Sequence, residues 1–407
     1  MNYPINYRSR DFLLKHISNT LAFYDDRVVD PTGGFFHCYM NDGALFNPGL
    51  RTLVASCRFI FNYAKAYAQF GKNDYRDKTI HGLNYLRKVH RSPQTGAYAW
   101  HINDGQVIDA TNHCYGLAFV MLAYSCALGI GIKEAREWID ETHELMEHRF
   151  WLKDDELYAC EADTDWKLSP YRGQNDNMHA CEAMIAAYEV TQDRRFLDRA
   201  CLIAKNITQR QSQGTQGHIW EHYKPDWTPD LDYNRHDKTN HIRPWGVQTG
   251  HQTEWAKLLI VLDRHRPEAW RLDRAKALFD AAMKYGWDEE CRGLRYGYDL
   301  EGKPCDHDKY FWVQAESIAA AALLADRTGD GIYWDWYDRI WDYSFYYFVD
   351  HIYGAWYRIL TRENVRYDNR KTYNNKADYH TMGACYEVLK VVKESAQQNF
   401  GGRELSM

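Results

Sequence analysis

The run Trp245-Gly246-Val247-Gln248-Thr249-Gly250-His251-Gln252-Thr253-Glu254-Trp255 holds residue types that can move a proton. His251, Glu254, Trp255 and Leu258 stand at offsets of three, four and seven, so a helix would place them on one face. An apolar stripe that opens on an imidazole and a carboxylate is badly made for packing. It suits a wet cavity, where the histidine exchanges protons and the acid orients it. Comparable openings recur along the chain. Arg51 ends Asn47-Pro48-Gly49-Leu50-Arg51, and Asn112 lies in Thr111-Asn112-His113-Cys114-Tyr115-Gly116. His179 and Glu182 lie in Asn177-Met178-His179-Ala180-Cys181-Glu182, and Trp312 and Glu316 in Phe311-Trp312-Val313-Gln314-Ala315-Glu316. His380 follows Asp378-Tyr379. Any one of these is explained by a satisfied buried polar group. Six of them opening onto one mouth point to a ligand pocket.

His251 and His380 suggest proton transfer within one substrate, since a neutral imidazole can take a proton from a carbon next to a carbonyl and return it. The enediolate so formed needs a cationic or hydrogen-bonding partner, and Arg51 is the candidate. Glu182, Glu254 and Glu316 share an offset in three helices, which leaves glycoside hydrolysis by facing carboxylates open. A histidine three residues before two of them fits imidazole orientation better. His218-Ile219-Trp220-Glu221-His222 has the spacing of a metal pair but not the His-Glu-x-x-His order. No metal and no other cofactor is expected. Nucleophile-elbow and phosphate-loop motifs are missing.

These residues need elements to hold them. Helical periodicity is read near 8–27, 48–71, 74–90, 111–129, 132–149, 176–192, 194–211, 246–264, 268–285, 310–328, 331–347 and 379–394. Between alternate helices stand short aromatic pieces: Gly34-Phe35-Phe36, Tyr98-Ala99-Trp100, Leu157-Tyr158, Ile219-Trp220, Arg295-Tyr296 and Trp356-Tyr357. Their regular recurrence marks a repeat of two helices plus a hairpin. Asn41-Asp42-Gly43 and Asn103-Asp104-Gly105 are good hairpin turns. The expected fold is all-α, an (α/α)6 barrel of twelve helices with short β-hairpins in the linkers at one mouth. Residues 1–407 would form a single catalytic domain, because no low-complexity or Pro/Ser-rich tract divides them. An open α-solenoid is the alternative.

Composition sets wide bounds. Hydrophobic residues at 45% and charged residues at 26% describe an ordinary globular chain. A net charge of −6 gives no reason to expect nucleic acid or an anionic membrane as partner. The longest small-apolar run, Ile318 to Ala325, is too short to span a bilayer, and Met1–Arg8 lacks the apolar stretch of a secretory signal. Ten cysteines without a C-x-x-C pair read as scattered reduced thiols. A cytoplasmic monomer or homodimer is expected. The unusual figure is 15% aromatic residues, which suits helix packing and stacking on sugars.

Taken together, Asn177-Met178-His179-Ala180-Cys181-Glu182-Ala183-Met184, Gly250-His251-x-x-Glu254, Trp312-Val313-Gln314-Ala315-Glu316 and Tyr379-His380 resemble the N-acylglucosamine 2-epimerase superfamily over nearly the whole chain. The resemblance implies a metal-independent epimerase or aldose–ketose isomerase on an (α/α)6 barrel. It implies His251 and His380 as the acid/base pair, Glu254 as support for His251, and Arg51 and His179 as holders of substrate oxygens. Phe311 before Trp312, and Asn375 five residues before His380, look more like the mannose isomerase branch than the cellobiose epimerases. Lys257 stands on the His251 helix where relatives carry other residues. The implied reaction joins D-mannose and D-fructose, or D-lyxose and D-xylulose. A 2-epimerase, a sulfonated-hexose isomerase and a non-catalytic sugar- or protein-binding barrel remain as alternatives.

Overall fold

The computed structural model describes residues 5–237, 240, 242–373 and 375–392. Twelve α-helices lie among them. They are α1 (Arg10–Tyr24), α2 (Leu53–Phe70), α3 (Asn73–Tyr85), α4 (Cys114–Gly129), α5 (Ala135–Arg149) and α6 (Gln174–Thr191). Then follow α7 (Arg194–Lys205), α8 (Thr249–His265), α9 (Ala269–Gly286), α10 (Phe311–Thr328), α11 (Gly331–Tyr347) and α12 (Tyr379–Leu389). The expected stretch of the last helix to 394 lies partly outside the described residues. Short π-helical turns, Leu86–His90 and Asn206–Arg210, prolong α3 and α7.

The even-numbered helices form an inner ring. Each of α2, α4, α6, α8 and α10 packs on the next, α10 packs on α12, and α12 returns to α2. Each odd-numbered helix lies outside: α3 on α2, α5 on α4, α7 on α6, α9 on α8, α11 on α10 and α1 on α12. Sequence explains the division. In α10, Ile318 through Ala325 are all buried, and their small side chains let neighbouring helices approach on every side. In α7 the buried residues Phe196, Leu197, Ala200, Cys201, Ile203 and Ala204 form one face, as an outer helix requires.

A second ring closes the mouth. Each two- or three-residue strand leading into an inner helix pairs antiparallel with the linker that precedes the next inner helix. Leu50–Thr52 pairs with His101–Asn103, Asn112–His113 with Glu161–Ala162, and Arg172–Gly173 with His222–Tyr223. Val247–Gln248 pairs with Gly297–Tyr298, Lys309–Tyr310 with Ile359–Leu360, and Arg370–Thr372 with Tyr39–Met40. The turn at Asp104-Gly105 has both residues at positive φ (48° and 73°), as a tight hairpin between twisted strands demands.

These lead-in strands shift two sequence expectations. Arg51 and Asn112 sit in strands and not in helical first turns, because Thr52 caps α2 by accepting from the Ala55 amide and the 112–113 backbone is engaged with 161–162. All ten cysteines are free thiols and eight are buried.

Candidate active site

Every inner helix sends at least one polar or aromatic side chain into the space behind the hairpin ring. His380 is the second residue of α12, and its Nδ1 lies 2.6 Å from Oε1 of Glu316 on α10. With that bond made by an Nδ1–H, the Nε2 lone pair is left facing the cavity, where Arg58 of α2 donates to it at 3.3 Å. His251 on α8 is tied in the same way. Its Nδ1 is 2.9 Å from Oε1 of Glu221, a residue of the linker before α8. Gln174 at the start of α6 donates to the other Glu221 oxygen at 3.0 Å and is itself fixed by the Trp255 indole N–H at 2.7 Å. Glu316 thus sets the direction of the His380 ring and favours its Nδ1–H tautomer, while the His251 ring is held in place by Glu221 and by the Gln174 amide nitrogen, 3.0 Å from the same Nδ1.

Trp312 stands between them. Its ring centroid is 4.9 Å from that of His251 and 5.8 Å from that of His380. The indole reaches this place because residue 250 is glycine; a Cβ there would stand 2.3 Å from Trp312 Cζ3. Arg58 is held between the Phe119 and Tyr379 rings, at 4.6 and 5.1 Å, and donates to the Asn375 carbonyl at 2.8 Å and to the Tyr115 hydroxyl at 3.1 Å. His179 on α6 packs on Tyr115 and Phe119, and its Nδ1 is 3.0 Å from Glu182.

Deeper in the barrel the three equivalent glutamates meet one cation. Lys257 Nζ lies 2.6 Å from Glu316, 3.7 Å from Glu254 and 3.8 Å from Glu182. Burial pushes the Glu254 carboxyl well above its usual range, and the nearby Glu316 adds to this. Burial also raises Glu316. Burial acts the same way on Glu182, but Lys257 and the bond from His179 outweigh it and hold that group low. His380 is held well below the usual imidazole range by burial first, then by Arg58, His179 and Lys257. Burial likewise lowers His179. Both rings are thus neutral near pH 7, the state in which Nε2 can accept a proton.

The sequence-derived set falls into two parts. His251, His380, Glu254, His179, Glu182, Trp312 and Glu316 converge on this space. Arg51 does not join them. It forms an ion pair with Asp30, donates to the Pro48 and Leu50 carbonyls at 2.6 and 3.0 Å, and lies over Phe36. Asn112 donates to the Asp163 carbonyl at 2.9 Å, stapling two linkers. Glu254 does not support His251, since neither of its oxygens has a hydrogen-bond partner and Glu221 takes the imidazole N–H.

Arg58, Glu221, Gln174 and Tyr115 escaped sequence reasoning. Arg58 lies in the second turn of α2, seven residues after Arg51, and only the burial of the stripe around it could have marked it. Glu221 was visible only as the centre of a suspected metal pair. That pair dissolves: His222 bonds the Tyr171 hydroxyl and the Pro244 carbonyl, while His218 faces the Tyr298 hydroxyl. Among the described residues, two groups do have ligand atoms within 4.8 Å of one another, His179–Glu182–Glu254 and Glu254–Glu316–His380. Lys257 already supplies a positive charge to both.

Residues 34–384 match the family model described as N-acylglucosamine 2-epimerase (GlcNAc 2-epimerase). A D-mannose isomerase of Marinomonas mediterranea is 52% identical over 394 residues, covering 96% of this chain and 100% of that protein. A crystal structure of D-mannose isomerase, also 52% identical, covers 96% of this chain and 100% of its own with a TM-score of 0.94. The cellobiose 2-epimerase of Bacillus thermoamylovorans, at 19% identity, shares the fold with a TM-score of 0.83 over 94% of this chain and 100% of that one. With its twelve-helix ring and full-length match, the chain belongs to the N-acylglucosamine 2-epimerase family.

Proposed function

We propose that the chain is an aldose–ketose isomerase that interconverts D-mannose and D-fructose, with D-lyxose and D-xylulose as a further substrate pair. The observation that carries this reading is the pair of imidazoles, each close at Nδ1 to a buried carboxylate, on the two inner helices that flank α10 in one pocket. The name of the 52%-identical relative supports the choice of sugar.

In this reading His251 assists opening of the sugar ring. His380 Nε2 then takes the proton from C2 of the open-chain aldose, and the electron pair moves onto the carbonyl oxygen to give an enediolate. Arg58, which already touches Nε2, stabilises that oxygen in place of Arg51. A proton then passes from O2 to O1, and return of the first proton from His380 to C1, as the electron pair on O2 re-forms the carbonyl at C2, yields the ketose. Trp312 and His179 bound the substrate. The chemistry lies in one domain and uses no metal or other cofactor. Full turnover after exhaustive chelation is expected; loss that zinc, manganese or cobalt restores would direct attention to Glu254, Glu316 and His380.

A 2-epimerase is the second reading, because imidazoles on both sides of a planar enediolate are what return of the proton to the opposite face of C2 requires. Incubation with D-mannose in D2O, followed by product identification, separates the two. Fructose carrying the exchanged hydrogen supports isomerisation. Glucose as main product supports epimerisation, and neither a new sugar nor exchange into the starting one would leave a binding protein.

A further inference from the structure

We propose that Lys257 is a positioning residue for this reaction, whose ammonium fixes the Glu316 carboxylate that in turn orients His380. The proposal rests on the reading of His380 as the proton carrier. Lys257 is six residues after His251 on α8, on a stripe where a leucine would serve packing. A buried ammonium is costly unless it is paired. Here it is surrounded by carboxylates from three successive inner helices, Glu182 of α6, Glu254 of α8 and Glu316 of α10. Without a cation, three acids at equivalent positions in adjacent helices would repel one another in a dry interior.

The connectivity shows what the lysine does. Glu316 gives one oxygen to Lys257 at 2.6 Å and the other to His380 Nδ1 at 2.6 Å, so its plane is set from both ends. Glu182 is arranged alike, with Oε1 3.8 Å from Lys257 and Oε2 3.0 Å from His179. Two histidine–carboxylate pairs on different helices thus share one ammonium. Glu254, the third acid, has no hydrogen bond to either oxygen among the described residues, and burial pushes its carboxyl well above the usual range. The groups that face His380 are Arg58 from α2, His179 and Glu182 from α6, Lys257 and Glu254 from α8, Glu316 from α10 and its own neighbour Tyr379. Removing Lys257 takes away one of the positive charges that keep this imidazole unprotonated and frees the carboxylate that aims it.

The test is Lys257→Met, which keeps length and apolar bulk, alongside Lys257→Arg, which keeps the charge. Two readouts are followed: the 15N signals of the imidazoles against pH, with His380 assigned by its loss in His380→Asn, and the pH profile of kcat on D-mannose. In Lys257→Met the His380 titration and the acid limb of kcat should both move to higher pH by roughly one unit, a change of about tenfold in the neutral fraction at a given acid pH. KM should stay within about threefold, since no substrate contact is lost. Lys257→Arg should restore most of the wild-type profile. If Lys257→Met does not fold, Lys257→Gln, which removes the charge but can still donate a hydrogen bond to Glu316, carries the same readouts. A folded variant whose His380 titration and acid limb coincide with wild type overturns the proposal. If wild type exchanges hydrogen with no sugar, the proposed function fails, while the imidazole titration still decides the role of the lysine.

Discussion

Asparagine at position 380 would keep a polar side chain beside Glu316 while removing the nitrogen that accepts a proton. His380→Asn should therefore melt like wild type yet lose C2–H exchange, measured by deuterium uptake from solvent; substantial exchange in the folded variant would remove His380 from the base role. The two glutamates near His251 give a sharper contrast. Glu221 accepts the imidazole N–H, whereas Glu254 makes no hydrogen bond. Glu221→Gln should lower kcat by roughly 10²–10⁴, because an amide can present a donor to Nδ1 and favour the wrong tautomer. Burial pushes the Glu254 carboxyl well up, toward its protonated form, so Glu254→Gln, an amide of the same shape, should cost less than about tenfold. Equal losses would mean that Glu254 works as a carboxylate. The two arginines separate in the same way. Arg58→Ala should lower kcat by roughly 10²–10³ as a charge-stabilising donor is lost. Arg51→Ala should leave kcat nearly unchanged but remove one partner of Asp30, which keeps its two bonds from Thr32, at a cost of about 1–3 kcal/mol in urea unfolding.

Gly250 and Trp312 show how helix packing sets the pocket. The indole lies against the α8 backbone where any side chain would collide with it, so Gly250→Ala should push Trp312 off its place between the imidazoles. Kinetics should show a loss of at least about tenfold in kcat/KM on D-mannose, with the fold retained; a crystal structure of the variant with Trp312 unmoved would contradict this. The helices themselves were legible in sequence, because periodic stripes such as His251, Trp255, Leu258, Leu259 and Leu262 run through about three turns. Their lead-in strands were not. Two or three residues carry too little alternation to be recognised, and Arg51 and Asn112 were misplaced for that reason. Partner choice was also hidden. His179–Glu182 and His251–Glu254 have the same spacing of three, yet only the first pair bonds, at 3.0 Å. The second gives way to Glu221, which comes from a linker thirty residues earlier. Spacing along a helix defines which groups share a face, but a group supplied by another element decides which of them are used.

The barrel buries many imidazoles in neutral form, and this gives the whole molecule an acid liability. Burial lowers His16, His90 and His113 to about 4 and holds His37 and His380 well below the usual range. In the unfolded chain each would titrate near ~6.5. Between that pH and about 4, the unfolded state binds protons at these sites that the native state refuses. Stability therefore falls as pH drops through this window, by roughly 1.4 kcal/mol per pH unit for each net proton. Some groups work the other way. Burial raises Asp176 to about 6, and Glu254 and Glu316 are raised as well, so the native state holds protons there that the unfolded chain releases. With Asp25 and Asp280, also raised by burial, these make five carboxyls that offset part of the loss, against eleven histidines that burial lowers among the described residues. Below about pH 4 carboxylates held low by partners, such as Asp30, Asp288 and Asp350, add to the loss as they are protonated. The urea midpoint should decline from pH 7 to pH 5, and the acid limb of activity should lie below the usual histidine range because His380 stays neutral there. A midpoint that is flat or rising over that interval would show that the buried acids, and not the imidazoles, govern the proton balance of the fold.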